Sequence, residues 1–305
     1  MMKNDNKNGR KPQHDVIRTW HVEEEETSLL EYVSKILADH TKTKVKSMLK
    51  HDQFAVNGMP TSQFDTLLHR GDEVSVNFTK SFKVFKNPRI SLIYEDRDVL
   101  VINKGYGILS MGTDKIKDGT AYSIMRDYVK YSDPNAKVFI VHRLDRDTSG
   151  LMMLAKTMEA KDAMQHNWNN MVINRKYVCV VEGIVEEKSG VVKSYLNETS
   201  KFEVYSTPEP KEGSQLAVTR YKVLKVNNGY SLLEVELDTG RKNQIRVHMQ
   251  ELGHPIVGDR KYGAQSSPIH RLALHAQTLR FVHPMTRKEM NFELPIPAKF
   301  LSLLK

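Results

Sequence analysis

The 305-residue chain has a single cysteine, Cys179, so it can hold no intrachain disulfide and no thiolate metal cluster. That scarcity fits a reducing compartment. Cys179 lies in the apolar run YVCVV, where a thiol reads as a small buried hydrophobe. No apolar run approaches the ~18 residues that a membrane helix needs. The opening MMKNDNKNGRKPQHD is polar and lacks the apolar centre of a secretory signal. A cytoplasmic protein with no membrane partner is therefore expected. Neither G-x-x-x-x-G-K-[ST] nor H-E-x-x-H occurs, so the usual P-loop and the zinc-protease helix are excluded. The 12 histidines show no ligand spacing, and His270 and His275 share neither a helix face nor a strand face. The stretch DRDTSG from Asp145 imitates the start of a calcium loop. Its twelfth position must supply a bidentate carboxylate, and Lys156 stands there instead. A mechanism without metal or cofactor is expected.

What the chain does have is positive charge. Its formal net charge is +9 and its pI about 9.3, a balance that suits a polyanionic partner, most often nucleic acid. Residues 1–20 are polar and aperiodic and are expected to be a disordered basic tail. Ser28-x-x-Glu31 is a capping box in prospect, and Leu29, Leu30, Val33, Ile36 and Leu37 follow at helical spacing. A second helix is expected over Lys42–Lys50, with Val45, Met48 and Leu49 on its apolar side. Lys42, Lys46 and Lys50 line one stripe, Lys44 adds to them, and the segment contains no acid. Like charges crowded on a short helix repel unless something anionic meets them; a solvated helix face is the simpler alternative. FAVNG and GDEVSVNF then read as two short strands with Asn57-Gly58 as a turn.

Residues 81–88 read as a linker, and residues 89–305 as one denser domain. SLIYEDRDVLVINK suggests two strands with an acidic turn; LMMLA (151–155), KYVCVVEG (176–183) and SLLEVEL (231–237) are further strands. Thr157 is placed to cap a helix running to Trp168. Gln244–Leu252 reads as a helix closed by Gly253 and Pro255. Strands and helices mix without a βαβ rhythm, which favours the α+β class. Between two core strands lies the least economical stretch of the chain, VFIVHRLDRDTSG (138–150), where an apolar run breaks into His142-Arg143-Leu144-Asp145-Arg146-Asp147. Ion pairs so close to a core do little for stability.

HRLDRDTSGL, then RKY (175–177), then TGRKNQIRVH and GHPIVGDRKYG, in that order, resemble the RluA-type pseudouridine synthases, a family that includes enzymes modifying large-subunit ribosomal RNA. The unit over residues 21–80, its pattern clearest in 27–79, resembles the S4-type RNA-binding domain, in which the second helix and following turn contact structured RNA. The resemblance implies a pseudouridine synthase fold with a central mixed, largely antiparallel sheet flanked by helices and loops, preceded by a small α/β RNA-binding domain. It implies isomerisation of uridine in structured RNA, 23S ribosomal RNA first and transfer RNA second. It requires no cofactor and no metal.

Carried over residue by residue, the resemblance makes Asp145 the catalytic carboxylate, Arg246 its pairing arginine and Tyr177 the ring beneath the base. Arg143 fills the gap left by the flipped base or contacts phosphate, and Lys42, Lys44, Lys46 and Lys50 contact RNA. Asp147 is expected to bond backbone amides within its loop. Two departures stand out: Asn243 where the family commonly has His, and Lys42-Thr43-Lys44 where the second helix usually opens with Ser-Arg. A non-catalytic RNA-binding assembly factor and a carboxylate-based hydrolase are the competing readings. A monomer is expected.

Overall fold

The computed structural model describes residues 16–79, 81–82, 85–200 and 202–305. They fall into two compact units that part between Phe85 and Lys86.

In the smaller unit, β1 (Ile17–His21), β2 (Glu26–Ser28), α1 (Leu29–Ile36), α2 (Lys42–Lys50), β3 (Phe54–Val56), β4 (Met59–Pro60), β5 (Leu67–His69) and β6 (Glu73–Asn77) follow in order. The capping box forms: Ser28 accepts from the Glu31 amide while Glu31 accepts from the Ser28 amide. Thr41 caps α2 by accepting from the Lys44 amide. Asn57 and Gly58 both take positive φ (49° and 78°), the backbone of a tight hairpin turn. A four-stranded antiparallel sheet, β1-β6-β3-β4, packs Phe54, Val74 and Val76 against Leu29, Val33, Val45, Met48 and Leu49. Strand β1 falls inside the stretch expected to be a tail. Its side chains are mostly exposed, so it carries no apolar alternation; backbone pairing with β6 orders it, helped by Trp20 packing on the core and by a Thr19–Ser75 hydroxyl contact (2.9 Å). The part of that tail before residue 16 lies outside the described residues.

The larger unit contains β7 (Ile90–Glu95), β8 (Val99–Lys104), α3 (Ala121–Ser132), β9 (Phe139–Ile140), β10 (Ser149–Ala155), α4 (Met158–His166) and α5 (Trp168–Met171). There follow β11 (Val172–Glu182), β12 (Ser189–Glu198), β13 (Val204–Thr207), β14 (Gln215–Asn227), β15 (Tyr230–Leu237) and α6 (Gln244–Glu251). A 3-10 turn (Arg260–Tyr262), β16 (Leu274–Val282), β17 (Glu289–Glu293) and α7 (Ala298–Ser302) complete it. Eleven strands form one sheet, ordered β13-β12-β14-β15-β11-β16-β10-β8-β7, with β17 on β16 and β9 on β10. The β10–β16 pair is parallel and the others are antiparallel. The fold is thus α+β, built on a mixed, largely antiparallel sheet. All seven residues of β10 are buried, which is why LMMLA is a continuous apolar run. The helix expected from Thr157 to Trp168 is interrupted at Asn167, whose φ of −119° is not helical, and restarts as α5.

The Ser-Gly that closes the charged loop has a packing reason. Gly150 takes φ +116° where β10 meets β16, and a Cβ there would lie 2.2 Å from the Ala276 carbonyl oxygen. Only glycine permits both the angle and the approach. Across the same centre, the β11–β16 register slips between Lys176 and Tyr177, a bulge next to a side chain the sequence marked as functional. Cys179 is fully buried, and burial pushes its thiol pKa up.

Candidate active site

The loop between β9 and β10 is tied down from several sides. The Leu144 amide donates to Ser110 Oγ (3.0 Å), and Ser110 Oγ donates to the Leu144 carbonyl (2.6 Å). The Thr148 amide donates to the Asp145 carbonyl (3.2 Å). His142 Nε2 accepts from the Met153 amide (2.9 Å), which requires a neutral ring; enclosure, then the nearby Arg175, push its pKa down to about 3. Beneath the loop lies Lys104, fully buried at the end of β8. Its ammonium donates to the carbonyls of Gly105 (3.0 Å), Ile108 (3.0 Å) and Arg146 (3.2 Å). Burial lowers its pKa to about 8, against the pull of Asp145 and Asp147.

So held, Asp145 faces a small open cleft lined by Arg143, Tyr177, Arg175, Arg241, Asn243 and Arg246, among others. Its side chain keeps 31% of its surface open. Enclosure by the surrounding protein raises its carboxyl pKa, opposed by Arg246 and Lys104. Arg246 Nη1 is 3.8 Å from Asp145 Oδ2. The closer partner of Arg246 is one the sequence reading did not single out. Asp259, its side chain 1% exposed, accepts from Arg246 Nε and Nη2, both at 2.7 Å. This bidentate pair holds the guanidinium rigidly, and Tyr262 packs on it with the ring centroid 4.7 Å from Cζ. Burial works against the Arg246 charge, but the Asp259 bonds outweigh it and raise the pKa. Asp259 stands inside the GHPIVGDRKYG segment; its nearly complete burial is the signal that matters, and burial is a tertiary property.

Tyr177 reaches the cleft from β11, buried, with its hydroxyl pKa raised by burial, so it is a neutral phenol. Arg143 stands exposed at the rim, with Nη1 3.8 Å from Met111 Sδ. Arg175, also unassigned from sequence, lines the cleft with its guanidinium 5.5 Å from the Trp168 ring. Gly240 makes room for it: a Cβ there would come within 2.8 Å of Arg175 Nη1. Asp147 departs from expectation. It accepts from Arg146 Nε and Nη2 (both 3.1 Å) rather than from loop amides, and the Thr148 amide is taken by the Asp145 carbonyl. The cleft thus gathers Asp145, Tyr177, Arg143 and Arg246. The lysines Lys42, Lys44, Lys46 and Lys50 are exposed along α2 of the smaller unit.

The turn that presents Arg246 is itself wired. Gln244, buried at the start of α6, accepts from Thr239 Oγ1 (2.8 Å) and the Arg241 amide (2.9 Å). It donates to the Val218 carbonyl (3.0 Å) and Thr219 Oγ1 (2.9 Å). All of its hydrogen-bonding capacity at those atoms is directed to fixing the turn. Asn243 immediately before it lies in the left-handed region, φ 54° and ψ 17°, a conformation asparagine tolerates better than most residues. Chemically the arrangement offers one ionisable carboxylate, a fixed cation beside it and a neutral phenol.

A family model described as RNA pseudouridylate synthase matches residues 98–251. The chain is 34% identical to the uncharacterized RNA pseudouridine synthase YlyB of Bacillus subtilis, over 90% of this chain and 93% of that one. It is 28% identical to ribosomal large subunit pseudouridine synthase D of Pasteurella multocida, over 90% and 89%. Among solved structures, human RNA Pseudouridylate Synthase Domain Containing 1 superposes with TM-score 0.56 at 25% identity, over 71% of this chain and 87% of that one.

Proposed function

From the premise that the chain belongs to the RNA pseudouridylate synthase family, isomerases that act on RNA, we propose that its substrate is a uridine in structured large-subunit ribosomal RNA. We assign the reacting carboxylate to Asp145. In the reaction the N1–C1′ bond of uridine breaks, the uracil turns, a C5–C1′ bond forms, and the C5 proton is lost while N1 gains one. Atoms and electrons balance without an oxidant or an energy source. Asp145 acts at the ribose, by attack on C1′ or by removal of the 2′ proton. Either route requires the ionised form, which is the office of Arg246 and Lys104 against a site that otherwise favours the acid.

The target base leaves its stack to enter the cleft. Tyr177 supplies the ring against which it lies. Arg143, at the rim, meets a phosphate or the space the base vacated. On the smaller unit, the lysines of α2 meet RNA phosphates in the manner of an S4-type domain. The observation that carries this reading is the convergence of Asp145, Arg246 and Tyr177 on one open cleft. A ribosomal substrate is favoured by the relatives named for the large subunit; transfer RNA is the alternative.

The test is incubation with unmodified ribosomal RNA, followed by chromatographic separation of nucleosides, since substrate and product have the same mass. Wild-type protein is expected to yield pseudouridine and Asp145→Asn none, with RNA binding nearly intact. Turnover near wild type in Asp145→Asn would refute the role. Mapping modified sites in cells that lack the protein identifies the uridine.

A further inference from the structure

Arg246 is not the group closest to Asp145. The amide of Asn243 is. With its nitrogen toward the carboxylate, Asn243 donates to Asp145 Oδ2 (2.8 Å) and, at longer range, Oδ1 (3.3 Å), while its oxygen accepts from the Tyr262 hydroxyl (2.8 Å). The opposite orientation would set the amide oxygen against the ionised carboxylate, two acceptors facing each other. Tyr262 in turn lies against Arg246, whose fork is held by Asp259. We propose that Asn243 is a positioning residue for this chain's reaction, its amide orienting the Asp145 carboxylate and favouring the ionised form across a wide pH range.

Three observations carry this. The amide, 2.8 and 3.3 Å from the two carboxylate oxygens, cannot lose or gain a proton near neutrality; an imidazole at the same place would titrate there. The left-handed backbone at residue 243 turns the side chain back over the loop rather than along α6, and Asn243 makes no capping bond to that helix. The relay to Tyr262 gives the amide a fixed rotamer, so the donor is set before substrate arrives. The charged and titratable groups that also face Asp145 are Arg246 from α6, Lys104 from β8, Asp259 ahead of the 3-10 turn, Lys242 from the same turn as Asn243, and Tyr177 from β11. A change at residue 243 substitutes none of them, and the Asp259 fork still holds Arg246.

The inference rests on the assignment of Asp145 in the proposed reaction, and two readouts separate the two. The first is the pH dependence of kcat/KM for pseudouridine formation. The second is titration of Asp145 itself by carbon-13 NMR of carboxyl-labelled aspartate, its signal identified by its absence in Asp145→Asn. Asn243→Gly keeps the left-handed backbone and removes only the amide. It is expected to move the Asp145 titration and the acid limb of kcat/KM upward together by about one pH unit, with KM for RNA within about twofold. Asn243→Asp, nearly isosteric, replaces a donor by a like charge and is expected to move both by about two units. It also carries the test should Asn243→Gly fold poorly. Unchanged titration in either variant overturns the inference. A shifted titration in the variants, with no pseudouridine made by the wild-type protein, overturns the function and leaves the positioning role standing.

Discussion

The molecule handles charge in two opposite ways. On α2 of the smaller unit, Lys42, Lys44, Lys46 and Lys50 stand in solvent around a helix whose other side, Val45, Met48 and Leu49, is core. Around the cleft of the larger unit, Asp259, Arg246 and Lys104 are buried or nearly so, and each is met by fixed partners. Exposed lysines keep their hydration and stabilise almost nothing, so they are free to meet a partner. Buried ions are costly to desolvate and persist only with complete hydrogen bonding, so each is committed to geometry. Asp145 stands between the regimes: partly open, beside a guanidinium whose better bonds go elsewhere.

The sharpest break in that comparison comes at Asp145. Asp145→Asn is expected to lower pseudouridine formation by at least ~10³-fold and at the same time to raise the thermal midpoint. The sign follows from the direction of the shift. A carboxyl whose folded pKa lies above its unfolded value is stabilising when protonated, and that contribution is lost as pH rises through the folded pKa. At neutral pH the ion is therefore a burden to the fold, which a neutral isostere relieves. A lower midpoint in Asp145→Asn would show that the carboxylate is instead structural.

Removing the partner from a buried ion has the opposite effect. Asp259→Ala leaves the Arg246 guanidinium without its bidentate acceptor and is expected to destabilise the larger unit by about 3–5 kcal/mol, read by urea denaturation. A loss under about 1 kcal/mol would place that pair with surface ion pairs.

Lys104 gives a pH signature. Its folded pKa, about 8, lies below the ordinary lysine value of 10.5, so between these two values the unfolded chain binds the extra proton and stability gains as pH rises. Activity moves the other way. It is expected to fall on the alkaline side near pH 8, as the cation beneath the Asp145 loop is lost, and on the acid side as Asp145 takes up a proton. Parallel curves of stability and activity above pH 8 would break this account.

The smallest effect belongs to the exposed charges. Lys42→Gln, Lys46→Gln and Lys50→Gln together are expected to leave stability within about 0.5 kcal/mol. They should flatten the slope of log affinity against log salt for RNA by roughly 2–3. An unchanged slope would assign the stripe to solvent alone.

The two regimes also differ in how far the sequence revealed them. The capping box at Ser28, the span of α2, the Asn57-Gly58 turn, the strands flanking the charged loop and the α6 stop at Gly253 were legible, because capping, φ preference and apolar period act within a few residues. Asp145, Tyr177 and Arg246 were marked by motif, and the fold brings all three to one cleft. Strand β1 shows no local pattern because long-range backbone pairing with β6 and one packed side chain, Trp20, order it, and Asp147 differs from expectation because its neighbour Arg146 takes it ahead of the loop amides.

By itself, then, the sequence determined the capped helices α1 and α2, the buried strands with continuous apolar runs, the Asn57-Gly58 turn and the basic surface of α2, since each depends on the covalent neighbourhood. Only the tertiary structure decided that Arg246 belongs first to Asp259, that Lys104 lies buried beneath the loop, and that the Asn243 amide faces Asp145. Those pairings depend on the register of strands distant in the chain and on the removal of water around ions. Neither is written in any local window of residues.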